Sequence, residues 1–216
     1  MIWDHFKQAT CLPVMCGCEF IHFEEWIRQP ANFWSSTIYL FLGFLLYKRS
    51  KTFHQKWWSF LCFILGISSH LAHASFVQLA MSADFASIIT LMVFPLQMHY
   101  AQKLPPLKSI LLTLITFLLV FAVMFYLEKT AKLAICIGIF TVVLFYHFKY
   151  LADQLTTHLF IKSIALMVLG FAFFTLDELK VFCYPHSLFQ LHSLWHLLTA
   201  LALYYYGKWI FQSGKW

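Results

Sequence analysis

Seven long runs of residues without Asp, Glu, Lys or Arg alternate with shorter polar segments along the chain. The run 133–148 is short, and the run 163–176 spans a bilayer only if it extends past Lys162, whose side chain can snorkel to the interface. Most of the others reach the roughly 20 apolar residues that a membrane-spanning helix needs. Because the runs are continuous rather than alternating, they predict helices and not barrel strands. The predicted spans are 29–47, 57–83, 85–102, 109–127, 133–148, 163–176 and 181–207.

The composition agrees with this pattern. Hydrophobic residues make up 61% of the 216 positions and charged residues only 11%, and the mean hydropathy is +0.72, far from the average of soluble proteins. A net charge of +6 would suggest a nucleic-acid partner for a soluble chain, but in a membrane protein the distribution of positive charge matters more. The sequence therefore predicts an all-α membrane protein with seven transmembrane helices and no nucleic-acid partner.

Positive charge is concentrated in alternate connections. The first connection, KRSKTFHQK at 48–56, has four positive charges, and together with the third, the fifth and the C-terminus it holds ten of the fifteen Lys and Arg residues. Cytoplasmic loops carry such an excess, which predicts an external N-terminus and a cytoplasmic C-terminus. Residues 1–28 are of mixed polarity and lack a signal-peptide apolar region, so we expect an external cap, followed by a transmembrane domain at 29–216.

The six cysteines form two groups. Two lie within predicted spans and four lie on the predicted outer side: Cys62 and Cys136 in the spans, and Cys11, Cys16, Cys18 and Cys183 outside. Since extracytoplasmic compartments can be oxidising, we expect a disulfide between the N-terminal cap and the loop before the last helix. The spacing leaves open which of the three N-terminal cysteines pairs with Cys183.

A small set of polar residues lies inside the predicted spans, toward one end. A charge at the bilayer centre costs at least about 2.5 to 3.5 kcal/mol, so ionisable groups there usually have a function. On the second span Ser69 and His73 are four residues apart and share one helical face. Asp84 lies at the start of the third helix, just before the uncharged run 85–102, and His192 and His196, again four apart, lie where the last helix enters from outside. The predicted topology brings all five residues to the outer end of the bundle.

This set has the chemistry of a catalytic zinc site. Zinc in enzymes commonly has three neutral histidine ligands, here His73, His192 and His196, and an open fourth position. Asp84 would orient a ligand or bound water, and Ser69 would place a hydroxyl beside the metal. His70, three residues before His73, is an alternative ligand. A haem site is a further alternative, but two histidines one turn apart on one face chelate a small ion rather than flank a macrocycle.

Three separate motifs resemble signatures of the alkaline ceramidase family and of its superfamily of membrane hydrolases, which includes the progestin and adipoQ receptors. The first, CEFIHFEEWIRQPANFWSS, matches a Cys-Glu pair followed by Pro-x-Asn-x-x-Ser at Cys18, Glu19, Pro30, Asn32 and Ser35. The second, Ser-x-x-x-His followed by Asp, is matched at Ser69, His73 and Asp84. The third is His-x-x-x-His at His192 and His196, and FFTLDE, ending at Glu178, resembles the end of the family's sixth helix.

The resemblance implies a zinc-dependent hydrolase that cleaves the amide bond of ceramide or a related N-acyl membrane lipid. The predicted topology places its active site toward the extracytoplasmic side. Zinc would supply Lewis-acid activation of water. Asp84 would take the proton of the attacking water and pass it to the leaving amine, and Ser69 would stabilise the oxyanion. The family pattern also makes Cys18 and Cys183 the preferred disulfide pair.

The sequence leaves open a calcium site and a receptor function. Animal alkaline ceramidases bind calcium through an acidic N-terminal cluster; here the aspartate expected before Cys18 is replaced by MCG, and the candidate calcium ligands are Glu19, Glu24 and Asn32. The alternative function is a zinc-containing, lipid-sensing receptor of the same superfamily that does not turn over lipid. A transporter is disfavoured because the sequence shows neither paired broken helices nor an internal repeat.

Overall fold

The computed structural model describes residues 2–9, 16–100, 104–146 and 157–212 of the chain. Within these ranges the chain forms one short 3-10 helix, Ile2–His5, and seven α-helices, but no β-strand. The α-helices are α1 (Pro30–Arg49), α2 (Phe53–Ser75), α3 (Gln78–Tyr100), α4 (Pro106–Tyr126), α5 (Lys129–Tyr146), α6 (Thr157–Glu178) and α7 (Leu191–Gln212). The predicted all-α class with seven helices is confirmed for the described part of the chain.

Four of the helices are long and apolar enough to cross a membrane. The apolar stretches are 78–98 on α3, 106–126 on α4, 129–146 on α5 and 158–178 on α6. The other three helices, α1, α2 and α7, carry many of the buried polar side chains, including Asn32, Ser69 and His196. The described chain is therefore a helical protein with four candidate membrane spans.

Two predicted helix boundaries are wrong. The uncharged run 57–83 indicates one helix that ends before Asp84, but α2 ends at Ser75 and Asp84 lies in the second turn of α3. Phe76 ends α2 because it adopts a left-handed conformation, with φ 55°, and its N–H donates to the Ala72 carbonyl. The last helix begins at Leu191 rather than at residue 181. Position 11 and the ends of the spans predicted at 85–102 and 133–148 lie outside the described residues.

Helices α1 and α2 approach each other closely at two glycines. A Cβ atom on Gly43 would lie 2.9 Å from the backbone nitrogen of Phe63, and one on Gly66 would lie 2.5 Å from Leu40 Cδ2. Small residues permit such close contact between membrane helices. Helix α1 also packs against α7. The start of α1, the end of α2 and the start of α7 thereby meet at one end of the bundle.

Helices α5 and α6 are separated along most of their length. Helix α5 packs against α3 and α6 packs against α7, whereas α5 and α6 make few contacts with each other among the described residues. At one end the Lys129 Nζ atom donates to Glu178 Oε2 at 2.6 Å. At the other end Leu144 packs against a cluster that contains Leu159 and Phe160. Between these two ends, residues of both helices, including Ile137 and Val168, line a cavity inside the bundle.

The N-terminal segment is fastened to the helices at several points. The fully buried Arg28 guanidinium donates to Gln8 Oε1 at 2.7 Å and to the Ser75 carbonyl at 3.0 Å, and it also pairs with Asp4. The structure contains the disulfide between Cys18 and Cys183 that the resemblance implies. The segment before α1 is therefore covalently joined to the connection between α6 and α7. Cys16 is disulfide-bonded as well.

Candidate metal centre

The structure brings the three predicted histidine ligands together. His73 lies in the last turn of α2, and His192 and His196 lie one turn apart at the start of α7. Their ring centroids are 4.8 to 5.1 Å apart in all three pairs. One nitrogen from each ring lies within 4.8 Å of the others. Three imidazole nitrogens converge on one point from two helices more than a hundred residues apart in the sequence.

The hydrogen bond of His73 determines which of its nitrogens faces this point. His73 Nδ1 lies 2.9 Å from Gln29 Oε1. An amide oxygen only accepts, so Nδ1 carries the proton and donates. The side-chain amide of Asn32 donates to the same oxygen at 3.3 Å, which is consistent with this orientation of the Gln29 amide. The unprotonated Nε2 of His73 is then left as the ligand atom.

The same argument applies to His196. Its Nδ1 lies 2.8 Å from Ser35 Oγ, and the Ser35 hydroxyl donates its single proton to the Asn32 carbonyl at 3.0 Å. Ser35 Oγ must therefore accept from the imidazole, so His196 Nδ1 carries the proton. Its Nε2 is the remaining basic nitrogen. Metal-binding histidines generally donate their other ring N–H to a protein acceptor in this way.

The imidazole of His192 lies beside a carboxylate. Its Nδ1 lies 4.0 Å from Asp177 Oδ2, and its backbone N–H donates to Asp177 Oδ1 at 3.4 Å. Asp177 Oδ2 also accepts from the backbone N–H of Cys18 at 3.1 Å. At Gly17, where φ is +83°, a Cβ atom would lie only 2.6 Å from the same oxygen. The disulfide-linked segment therefore packs directly on the carboxylate beside His192.

A second group of ligand atoms lies beside the histidines. Asp177, Glu178 and His192 each offer an atom within 4.8 Å of the others. Both carboxylates already have partners: Asp177 accepts two backbone N–H bonds, and Glu178 forms an ion pair with Lys129. The three histidines are therefore the better candidate metal ligands, and Asp177 and Glu178 lie in supporting positions beside them.

Ser69 and Asp84 lie in the wall of the same cavity as the histidines. This cavity has a volume of about 180 Å³. Ser69 is buried on α2, one turn before His73. The Asp84 carboxylate on α3 accepts from Ser68 Oγ at 3.5 Å, and the Ser68 hydroxyl also contacts Ser87 at 3.0 Å. All five residues predicted for the zinc site are thus brought to one cavity.

His70 points away from this centre. Its Nδ1 lies 2.7 Å from the Gly66 carbonyl and 3.1 Å from Ser36 Oγ, and its Nε2 lies 3.1 Å from Thr37 Oγ1. Both nitrogens therefore have partners on α1 and α2, and the described ligand groups do not contain His70. The structure favours His73 over His70 as the ligand on α2.

The candidate calcium ligands have different surroundings. The Glu19 carboxylate accepts from the backbone N–H groups of Ala31 at 2.6 Å and Asn32 at 3.0 Å, at the start of α1. The pKa of the Glu19 carboxyl is raised to about 7, because the effect of burial outweighs the opposite effect of the two N–H bonds. Glu24 is exposed, and the described metal-ligand groups contain neither Glu19 nor Glu24. Glu19 therefore has a structural partner, the N-terminus of α1, and the calcium site stays a prediction.

Several residues at the centre have no role predicted from the sequence. Ser35 and Asp177 occur in the motifs that carry the family resemblance, which is the only signal for them. No signal in the sequence identifies Gln29, because it lies far from His73 in the chain and next to Pro30 in an irregular segment. The ion pair between Lys129 and Glu178 lines the cavity and is likewise absent from the sequence prediction.

No family model, curated protein or solved structure matches this chain. The functional conclusion therefore depends on the geometry of the centre and on the motifs in the sequence.

Proposed function

We propose that the protein is a zinc-dependent, membrane-embedded amide hydrolase that acts on ceramide or a related N-acyl lipid, similar to the alkaline ceramidases. The observation that carries the proposal is the convergence of three histidines, two of them oriented by hydrogen bonds, on a largely apolar cavity. Three imidazoles are a suitable donor set for zinc, and no free cysteine belongs to the described ligand groups. When bound, zinc would supply Lewis-acid activation of water and of the amide carbonyl.

The protein's own groups account for the remaining chemistry. The Asp84 carboxylate is the proton acceptor for the attacking water and the donor to the leaving nitrogen. The Ser69 hydroxyl donates to the carbonyl oxygen as negative charge develops on it. The side chains of Gln29, Ser35 and Asp177 hold the imidazoles in orientation through the contacts described above. Apolar walls keep bulk water away from the substrate.

The position of the cavity suits a lipid substrate. Ile137 on α5 and Val168 on α6 both line the cavity and are 43% and 56% exposed on the outer surface of the bundle. The cavity therefore reaches the helix surface in the gap between α5 and α6, where hydrocarbon would surround the protein. A lipid would enter from the bilayer without crossing water.

We further propose that all seven α-helices span the membrane, with the N-terminus outside and the C-terminus in the cytoplasm. The alternating distribution of Lys and Arg supports this orientation. In this arrangement α1, α2 and α7 turn their polar side chains toward the interior, which explains why their composition is less apolar than that of the other four. The metal centre would then lie toward the extracytoplasmic side.

Metal analysis combined with a lipid assay tests the proposed function. Protein purified without chelator is expected to contain about one equivalent of zinc and to release fatty acid from ceramide or another N-acyl lipid. His192→Ala should remove both zinc and activity. His158→Ala is the matched control, because His158 is exposed near the opposite end of the bundle on α6.

Three results would contradict the proposal in different ways. Absence of zinc, or iron with a haem absorption band, would reject the zinc centre. Zinc without fatty acid release from any N-acyl lipid would favour the lipid-sensing receptor. Equal zinc loss in His158→Ala and His192→Ala would reject the assignment of the ligands.

A further inference from the structure

A second apolar cavity of about 80 Å³ lies next to the metal-site cavity. The two cavities share lining residues from several helices, among them Tyr39, Leu65, Phe140 and Met167. The two cavities are therefore adjacent, and we refer to them together as the channel. On α7 the lining residues His192, His196, Thr199, Leu203 and Tyr206 recur at helical spacing on one face, so the channel follows the axis of α7 away from the metal ligands.

The second cavity offers hydrocarbon surroundings. Its polar wall groups are bonded within the protein: the Tyr39 hydroxyl is paired with Thr199 Oγ1 at 2.5 Å, and Thr199 donates to the Trp195 carbonyl at 2.7 Å. Ser163 Oγ donates to the Ala202 carbonyl at 2.8 Å. With these hydrogen bonds already formed, the walls offer a ligand mainly van der Waals contact. An acyl chain fits this environment.

Three aromatic side chains close the far end of the second cavity. Trp58, Phe160 and Tyr206 come from α2, α6 and α7 and are packed with ring centroids 5.4 Å apart for Trp58–Tyr206 and 6.4 Å for Phe160–Tyr206. Trp58 and Phe160 are each 2% exposed. We call these three packed residues the aromatic floor.

We propose that the second cavity binds the end of the substrate's acyl chain and that the aromatic floor limits the length of this chain. This inference rests on the proposed function, because the acyl chain reaches the second cavity only if the amide bond of the substrate lies at the histidines. Trp58 in the aromatic floor and Val143 of α5, which also lines the second cavity, are then determinants of chain-length specificity rather than catalytic residues.

The geometry gives an approximate length. Tyr206 follows His196 by ten residues on α7. At about 1.5 Å per residue, the aromatic floor lies about 15 Å from His196 along the helix axis. An extended hydrocarbon chain with bonds of about 1.5 Å advances roughly 1.3 Å per bond. The channel therefore accommodates a chain of about dodecanoyl length, and longer chains must displace the floor.

Neighbouring valines on α5 provide a matched test. Val143 lines the second cavity and is 7% exposed, whereas Val142 is 63% exposed on the surface of the helix. Val143→Phe should shorten the preferred acyl chain by two or more carbons, and Val142→Phe should not change it. Trp58→Phe should lengthen the preferred chain, and it removes no hydrogen bond, because the buried Trp58 Nε1 has no partner among the described residues.

Lipid retention provides a measurement that does not depend on turnover. Full-length protein in detergent is incubated with an equimolar mixture of saturated N-acylsphingosines from hexanoyl to tetracosanoyl and then repurified. Retained intact lipid and fatty acid are quantified by mass spectrometry, and hydrolysis rates are measured on the same series. Zinc content and gel-filtration profile identify variants that are folded.

The outcomes separate this inference from the proposed function. Shifts of the retained chain length in opposite directions for Val143→Phe and Trp58→Phe, with Val142→Phe unchanged, support the channel. An unchanged profile in folded Val143→Phe, or the same shift in Val142→Phe, overturns it. Length-selective retention without hydrolysis in the wild type would support the channel and reject the hydrolase.

Discussion

At the residue scale, the candidate metal centre depends on which nitrogen of each imidazole faces the cavity. Gln29 and Ser35 accept from the Nδ1 atoms of His73 and His196, and Asp177 lies beside the Nδ1 atom of His192. Each partner comes from a different part of the chain than the histidine it orients. The centre is therefore preorganised by tertiary contacts and not by the local sequence around the ligands.

Adjacent serines on α1 test this preorganisation. Ser35→Ala removes the acceptor for His196 Nδ1 and is expected to weaken zinc binding by about 10- to 100-fold. Ser36→Ala is the control, because Ser36 contacts His70 and the Phe33 carbonyl instead of a ligand. Competition with a chelator of known affinity measures both variants. Equal affinities for Ser35→Ala and the wild type would contradict the role of Ser35.

The roles of Asp84 and His73 are separable by mutation. Asp84→Asn keeps the size of the side chain but removes the proton acceptor, so hydrolysis should fall by about 10² to 10⁴ while zinc is retained. His73→Ala should lose zinc and activity together. Zinc analysis and fatty acid release are measured on the same preparations. Unchanged hydrolysis in Asp84→Asn with full zinc in His73→Ala would disprove both assignments.

The sequence points to the three converging histidines more clearly than to the residues that contact them. Histidines inside apolar runs are conspicuous because polar groups in a membrane are costly, and spacing of four residues places His192 and His196 on one face. Gln29 and Lys129 lie outside or at the edge of the apolar runs, where polar residues are ordinary. Their positions at the cavity follow only from how the helices pack.

At the element scale, hydrophobic pattern predicts the helices but not all of their ends. The number and order of the α-helices agree with the uncharged runs, because each run is apolar along most of its length. The break at Phe76 is invisible in the pattern, since it depends on a left-handed backbone conformation at a buried aromatic residue. Residues 181–190 are uncharged and are therefore predicted as part of the last helix, although they form the connection that contains Cys183.

Glycines provide a test of helix packing at this scale. Gly66→Ala places a Cβ atom against Leu40 on α1, so we expect a destabilisation of about 1–3 kcal/mol from overpacking. Gly138→Ala is the control: a Cβ atom at this position would have no neighbour within 4 Å, and replacing a helical glycine should be neutral or stabilise by about 0.5–1 kcal/mol. Unfolding in detergent measures both. Equal stability of the two variants would contradict the close α1–α2 contact.

At the scale of the whole molecule, the proposed orientation places the segment before α1 and the connection between α1 and α2 on opposite sides of the membrane. Glu24 and Lys51 are both exposed and suitable for single cysteine substitution. A membrane-impermeant maleimide should label Glu24→Cys in intact cells and Lys51→Cys only after permeabilisation. The reverse pattern would invert the topology, and labelling of both in intact cells would reject a membrane-spanning α1.

In the proposed hydrolase, the opening between α5 and α6 means that the relevant substrate concentration is the concentration in the membrane. A cavity that opens between two membrane helices takes up lipid from the surrounding hydrocarbon. Its occupancy therefore depends on the mole fraction of the substrate lipid in the bilayer or micelle and not on the concentration of this lipid in the aqueous volume. Added detergent then acts as a diluent even when it does not inhibit. Apparent KM values should scale with the ratio of detergent to substrate, and comparisons between variants require that this ratio be held constant.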